Sequence, residues 1–306
     1  MEIFWTIFFQ IIPLFIKVLI GFIAGKFLQV DRSSIASLVF YLISPIFFFY
    51  SVATASITQS TLALPLLLYI IACFICLVFY NIGKLIWRDS TANLLAFTAG
   101  NGNAGYFGLP IVMQLFDKDY IGIYVTAMLG ITLYENSLGF FITAKNNYTT
   151  RDSIKRVLKL PMLHAFILGC VVSSLHINVH PMFDTFMNNI RGCYSVLGMM
   201  LIGLGLASVT NMSIDFKFIG LSLGARFIVW PLIMFSLVLI DQNYLHIYDD
   251  NIHKILKMLS IVPLAANTVI IASLMKSHPE KAASAVLAST VLALFYVPLM
   301  IAFLIS

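Results

Sequence analysis

Charge is what this sequence has least of. Lys, Arg, Asp and Glu make up 10% of the 306 residues, against about 25% in soluble domains. A water-facing surface of ordinary size would have nothing to cover it. The four cysteines, Cys73, Cys76, Cys170 and Cys193, imply no disulfide framework. Cys73 and Cys76 form a C-x-x-C, but within an apolar run, where free cysteine behaves as a small hydrophobe. No nucleophile–base constellation, phosphate-binding loop, H-E-x-x-H or paired-carboxylate motif is present, so an enzyme is not expected, and neither a metal nor another cofactor is called for. A net charge of +5 and a pI near 9.0 do not make a nucleic-acid surface. The basic residues are scattered through short connections and form no basic face.

Hydrophobic residues fill the place of the missing charge, at 60% of the chain with a mean hydropathy of +0.97. Runs that satisfy the roughly 20-residue span of a bilayer recur near 4–27, 34–56, 61–83, 91–116, 120–144, 158–177, 185–208, 216–240, 254–276 and 282–304. The expectation is an all-α, multi-pass cell-membrane protein of ten transmembrane helices. Its first run lacks a basic leader and is too long for a cleaved signal, so it is expected to stay as the first span. Assigning alternate connections to opposite sides places 12 Lys and Arg on one side and 4 on the other, with Lys17 and Arg226 inside spans. The positive-inside rule then puts the first side in the cytoplasm and both termini outside. The sequons Asn147-Tyr148-Thr149 and Asn211-Met212-Ser213 fall on the basic side and read as chance matches.

The longest basic connection divides the chain into five spans plus five: residues 1–145, a connecting loop at 146–157, and residues 158–306. With an odd number of spans per half, the second half enters the membrane from the opposite side. Pro13 and Gly21 in the first span are matched by Pro161 and Gly169 in the sixth. Together these point to two inverted repeats, an organisation typical of secondary transporters.

Two spans are interrupted at corresponding places in the halves. The fourth carries Gly100-Asn101-Gly102-Asn103-Ala104-Gly105 at its centre, and the ninth carries Pro263 followed by Asn267 and Thr268. Glycine costs about 1 kcal/mol per helical position relative to alanine, and proline removes a helical hydrogen bond. Each break creates a half-helix N-terminus whose free N–H groups and dipole favour an anion. For Gly100 and Gly108, close helix packing explains the residue as well as function does. For Asn101, Asn103 and Asn267 function is the stronger reading, because an uncompensated buried amide is costly.

The run Asn103-Ala104-Gly105-Tyr106-Phe107-Gly108-Leu109-Pro110, the Pro263-x-x-x-Asn267 pattern, Ser44-Pro45, and Arg226 followed by Pro231 together resemble the auxin efflux carrier family, which includes malate and malonate permeases. Gly198 stands where members of that family often carry proline. The resemblance implies ten helices with the fourth and ninth crossing at their breaks. It also implies a scaffold of helices 1, 2, 6 and 7, a mobile domain of the rest, often a homodimer, and malate-like dicarboxylates as substrates.

The expected function is a secondary active transporter moving a small organic anion by alternating access, coupled to H+ or Na+. Substrate-binding residues are expected at Asn101, Asn103, Gly105, Tyr106, Pro263, Asn267, Thr268 and Pro45. Lys17, Glu135 and Arg226, ionisable groups within spans, are charge partners of a substrate, coupling groups, or structural locks. His164 reads as a packed, hydrogen-bonded residue. A sodium-coupled bile-acid-type symporter shares the crossed-helix architecture, and a ligand-binding membrane sensor without transport is the rival from another class.

Overall fold

The computed structural model describes residues 2–55, 58–143, 150–175, 177, 182–207 and 214–305. Within them the chain is helical throughout, apart from connections and one isolated antiparallel bridge between Gly102 and Leu264. The helices are α1 (Glu2–Phe27), α2 (Arg32–Ala53), α3 (Gln59–Ile86), α4 (Thr91–Gly100), α5 (Leu109–Leu115), α6 (Lys118–Thr143) and α7 (Thr150–Leu158). They continue as α8 (Pro161–Ser174), α9 (Phe183–Ala207), α10 (Phe216–Leu245), α11 (Asp250–Ser260), α12 (Asn267–Leu274) and α13 (Pro279–Ile305).

Seven helices, α1, α2, α3, α6, α9, α10 and α13, are long and apolar enough to cross a membrane. This is a multi-pass membrane protein with seven candidate spans among the described residues, where the sequence led to an expectation of ten. The physical reason for the difference is local. The runs at 91–116 and 254–276 are each split into two short helices, α4 with α5 and α11 with α12, and α8 is a 14-residue apolar helix. The expected 146–157 loop contains the amphipathic helix α7. Both sequons lie outside the described residues. Outward-facing Phe9, Ile16, Leu66, Phe74, Leu168 and Leu232 form a surface suited to hydrocarbon rather than water.

Proline shapes several of these helices in one repeated way. Pro45, Pro110 and Pro231 each stand two residues after a π-helical turn, at Val39–Ile43, Ala104–Gly108 and Ala225–Val229 respectively. A helical proline lacks an N–H and its ring clashes with the carbonyl four residues back. Widening the preceding turn relieves that clash while keeping most of the backbone bonded. Such π turns often mark functional positions; these three carry or adjoin Ser44, Tyr106 and Arg226.

The tightest helix pair is α1 against α9. Gly21 of α1 abuts the Met200 backbone, and Gly203 of α9 abuts the backbone of Val18 and Gly21. Small residues let membrane helices approach closely where no hydrophobic force drives them together. Lys17 donates to Ser195 Oγ across the same interface (3.0 Å). On the other side of the molecule α3 packs on α4 and α6, and α12 on α13. Replacing Gly203 with valine should lower stability in detergent by about 2 kcal/mol or more through overpacking. Gly192→Ala, at a position with no neighbour within 4 Å, should leave the unfolding midpoint unchanged. Equal midpoints for the two variants would contradict this packing.

Candidate functional site

The two broken helices meet at their breaks. After α4 ends at Gly100, Asn101 is extended (φ −108°, ψ 134°) and Asn103 turns sharply (φ −76°, ψ 56°). Gly102 pairs with Leu264 in the antiparallel bridge, and the Asn103 N–H donates to the Pro263 carbonyl (2.8 Å). The backbone of one break therefore satisfies part of the other, which is required where no water reaches. Asn103 also closes the π turn that follows, its carbonyl accepting from Gly108 N–H (2.9 Å).

The carbonyls freed at the C-terminal ends of α4 and α11 are met by side chains from other helices. Trp230 Nε1–H donates to Ala99 O (2.8 Å), and the Tyr134 hydroxyl reaches Ala96 O (3.2 Å) and Phe97 O (3.1 Å). Beyond the break, the Tyr124 hydroxyl donates to Ala104 O (3.0 Å). On the α11 side the buried Arg226 guanidinium donates through Nε to Val262 O (2.5 Å) and through Nη2 to Leu259 O. A cation at a helix C-terminus is also favoured by the helix dipole. The glycines of the fourth-span motif make room for these capping groups: Gly100 lies against Tyr134, Gly102 against the Arg226 guanidinium, and Gly108 against Tyr124. At these positions a methyl group would collide with the cap. For Gly100 and Gly108 that is the packing reading.

The N-terminal ends of the second half-helices have no side-chain cap. Both border a cavity of about 530 Å³, lined at the crossover by Gly102, Asn103, Gly105, Tyr106, Ala266 and Asn267. Opposite them it is lined by Ser44, Thr132, Glu135, Asn136 and Tyr194, and it opens beside the exposed residues Asp31, Ser33 and Tyr41. Asn103 is 4% exposed, and its side-chain Nδ2 has no hydrogen-bond partner. Asn101 and Thr268 are fully buried behind the lining, with Asn101 Oδ1 and Nδ2 and Thr268 Oγ1 also unpartnered.

The cavity thus gathers Asn103, Gly105, Tyr106, Asn267 and Glu135 from the expected residues. It leaves out Asn101, Pro263, Thr268, Pro45, Lys17 and Arg226. Pro263 contributes its carbonyl to the crossover, and Pro45 sits beside the lining residue Ser44. Lys17 bonds to Ser195 of another helix, and Arg226 to backbone carbonyls of the ninth-span run. His164 contacts its own helix through Leu160 O (2.9 Å).

Two lining residues, Arg32 and Tyr194, escaped the sequence. Arg32 counts in sequence as an ordinary loop cation, yet its guanidinium lies over Gly205 of α9, with 3.2 Å between Cζ and the position a Cβ would take. Tyr106 is seated on Gly198 of the same helix in the same way (3.2 Å). Tyr194 of α9 packs against Tyr106 at 6.3 Å between ring centroids. The seven-residue spacing of Gly198 and Gly205 on one helix was the signal available.

If Arg226 caps α11, Arg226→Met should destabilise the protein by more than about 2 kcal/mol, since each buried carbonyl left unpaired costs about 1–3 kcal/mol. Arg226→Lys, with one point donor in place of a planar fork, should fall between. Unfolding of the purified variants measures this, and a wild-type midpoint for Arg226→Met would contradict the capping role.

Residues 192–306 match the model of the Sodium Bile acid symporter family. No curated protein matches the chain. The match corrects the resemblance to the auxin efflux carrier family drawn from the sequence: the model that fits, over residues 192–306, is that of the Sodium Bile acid symporter family, a family of transporters. The reason lies in the motifs that carried the resemblance. Glycine, asparagine and proline at two facing breaks are demanded by any pair of crossed broken helices, as the bridge and caps above illustrate, so they do not separate one such family from another. In its second half the chain is similar to sodium-coupled symporters.

Proposed function

We propose that the protein is a secondary active transporter that carries a small organic anion across the membrane by alternating access, coupled to sodium. The observation that carries this reading is the meeting of two interrupted helices at the wall of a cavity holding an arginine and a buried, unpartnered amide donor. Interrupted helices in corresponding positions are the best pointer to a transporter's binding site. The uncapped N-terminal ends and the free Asn103 Nδ2 offer donors to a carboxylate.

Sodium coupling comes from the name of the matched family. Asn101 Oδ1 and Thr268 Oγ1, buried and without partners, supply the hard oxygen donors such an ion takes. In this reading residues 1–145 and 158–306 are inverted repeats, and the segments 91–116, 158–177 and 254–276 complete ten crossings. The helices α1, α2, α8 and α9 act as the frame against which the remainder moves. The side where the cavity opens holds most of the basic connections, so it faces the cytoplasm.

Uptake of radiolabelled carboxylates into proteoliposomes tests the reading. Asn103→Ala should abolish uptake while the protein still expresses and folds, and exchanging external sodium for potassium should reduce wild-type uptake at least tenfold. Normal uptake by Asn103→Ala would remove the crossover as the site.

A further inference from the structure

We infer that α7 is a docking site for anionic phospholipid headgroups at the membrane surface on the basic side of the protein, and that lipid bound there steadies one wall of the cavity. The helix, Thr150–Leu158, sorts its side chains by face. Residues three and four apart share one face of a helix. Ile154, Val157 and Leu158 make an apolar face, and Arg151 and Lys155 make a neighbouring basic one, which Lys159 extends. Ile154 and Leu158 are 56% and 60% exposed. Arg151, Lys155 and Lys159 are exposed too, and they enter no ion pair among the described residues. In the sequence from 145 to 159, Lys145, Arg151, Lys155, Arg156 and Lys159 stand against a single acid, Asp152.

A short helix with an exposed apolar face beside a basic one lies in the plane of a membrane interface. Its aliphatic side chains reach the acyl boundary while its cations stay level with the phosphates. The position of α7 in the fold agrees. It leads through Lys159 and Leu160 directly into α8, whose Ile167 and Leu168 face outward as a hydrocarbon surface does. Ile154 and Leu158 therefore sit where a span leaves the bilayer, and lipid is the partner already at hand to cover them. Charge then selects the lipid: Lys and Arg at a membrane surface attract anionic headgroups, each worth about fivefold in binding.

The same helix touches the cavity from behind. It packs against the Glu135–Gly139 turn of α6, and Glu135 and Asn136 of that turn line the cavity opposite the crossover. Holding α7 at the membrane surface holds the turn it leans on, so the headgroup composition of the bilayer reaches the cavity wall through one helix-to-helix contact.

The test places a fluorophore on α7 through Ile154→Cys, in full-length protein stripped of its four cysteines, and reconstitutes it in nanodiscs of phosphatidylcholine with added phosphatidylglycerol. One lipid or the other carries brominated acyl chains, which quench on contact. Brominated phosphatidylglycerol should quench with an association constant at least about fivefold above that of brominated phosphatidylcholine, the worth of one basic residue at the surface. High salt should shrink the preference. Combining Arg151→Gln, Lys155→Gln and Lys159→Gln should abolish it. Combining Lys26→Gln, Arg88→Gln and Lys276→Gln, which removes the same charge from exposed positions elsewhere on the basic side, should not. All five side chains of α7 and Lys159 that are replaced or labelled here apart from Val157 point outward, so melting points in phosphatidylcholine should match the wild type and separate lost binding from lost folding. No quenching by either lipid would overturn the inference and leave the exposed face to a protein partner. Equal quenching by both lipids, or a preference that survives the α7 triple variant, would overturn it as well. The effect on the cavity is read by amide exchange of residues 135–143, which should be about fivefold slower with phosphatidylglycerol than without it, and equally fast in both for the α7 triple variant. Exchange indifferent to phosphatidylglycerol alongside preferential quenching would overturn the link to the cavity wall and leave the lipid site standing.

Discussion

Everything in this structure follows from having to satisfy backbone groups at two breaks where there is no water to do it. An unpaired peptide group in hydrocarbon costs several kcal/mol, and each interruption frees several. The two breaks pair partly with each other, through the Gly102–Leu264 bridge and the Asn103–Pro263 hydrogen bond. The C-terminal carbonyls that remain are taken up by Trp230, Tyr134 and Arg226. Those caps come from α6 and α10, so the positions of both helices are fixed by the crossover, and the glycines at 100, 102 and 108 are fixed by the caps. The N-terminal ends differ. They have no side-chain cap and face the cavity, so the donors left over by the architecture are collected where a ligand can use them.

How much of this was legible in the sequence depended on whether the signal was local. Apolar run length and the Gly/Asn and Pro/Asn interruptions are local, and the runs with their breaks reappear as helices and breaks at the expected places. The number of long spans did not follow, because a helix broken at its centre is no longer one long helix and the sixth run holds an apolar helix of only 14 residues. The partners of Lys17 and Arg226 were not legible either. An ionisable residue inside an apolar run reads the same whether it lines a cavity, as Glu135 does, or meets a set of orphan carbonyls, as Arg226 does. Arg32 was hidden for the opposite reason: at the end of a span it looks like any cytoplasmic cation. Only the packing of α2 against α9, over Gly205, turns it into part of the cavity.

Family assignment failed in the same way. The residues that suggested the auxin efflux carriers are those that physics requires at a crossing of broken helices, while the match to the bile-acid symporters falls on residues 192–306, which hold only the ninth-span half of that pair. The first half contributes Arg32, Asn103 and Glu135 to the cavity lining and the second half Asn267, so both halves line it. The cavity lining holds Asp31 and Arg32 near its opening, Glu135 in its wall and the Asn103 amide at the crossover, among apolar side chains.

Alternating access is the central claim, and accessibility measures it most directly. In a protein stripped of its four cysteines, a single cysteine placed by Thr132→Cys in the cavity wall would be labelled by a membrane-impermeant thiol reagent applied to each face in turn, with and without sodium. The account predicts labelling from both faces, with the balance shifted by sodium. Labelling from one face only, under every condition, would contradict it and leave a membrane protein that binds without carrying.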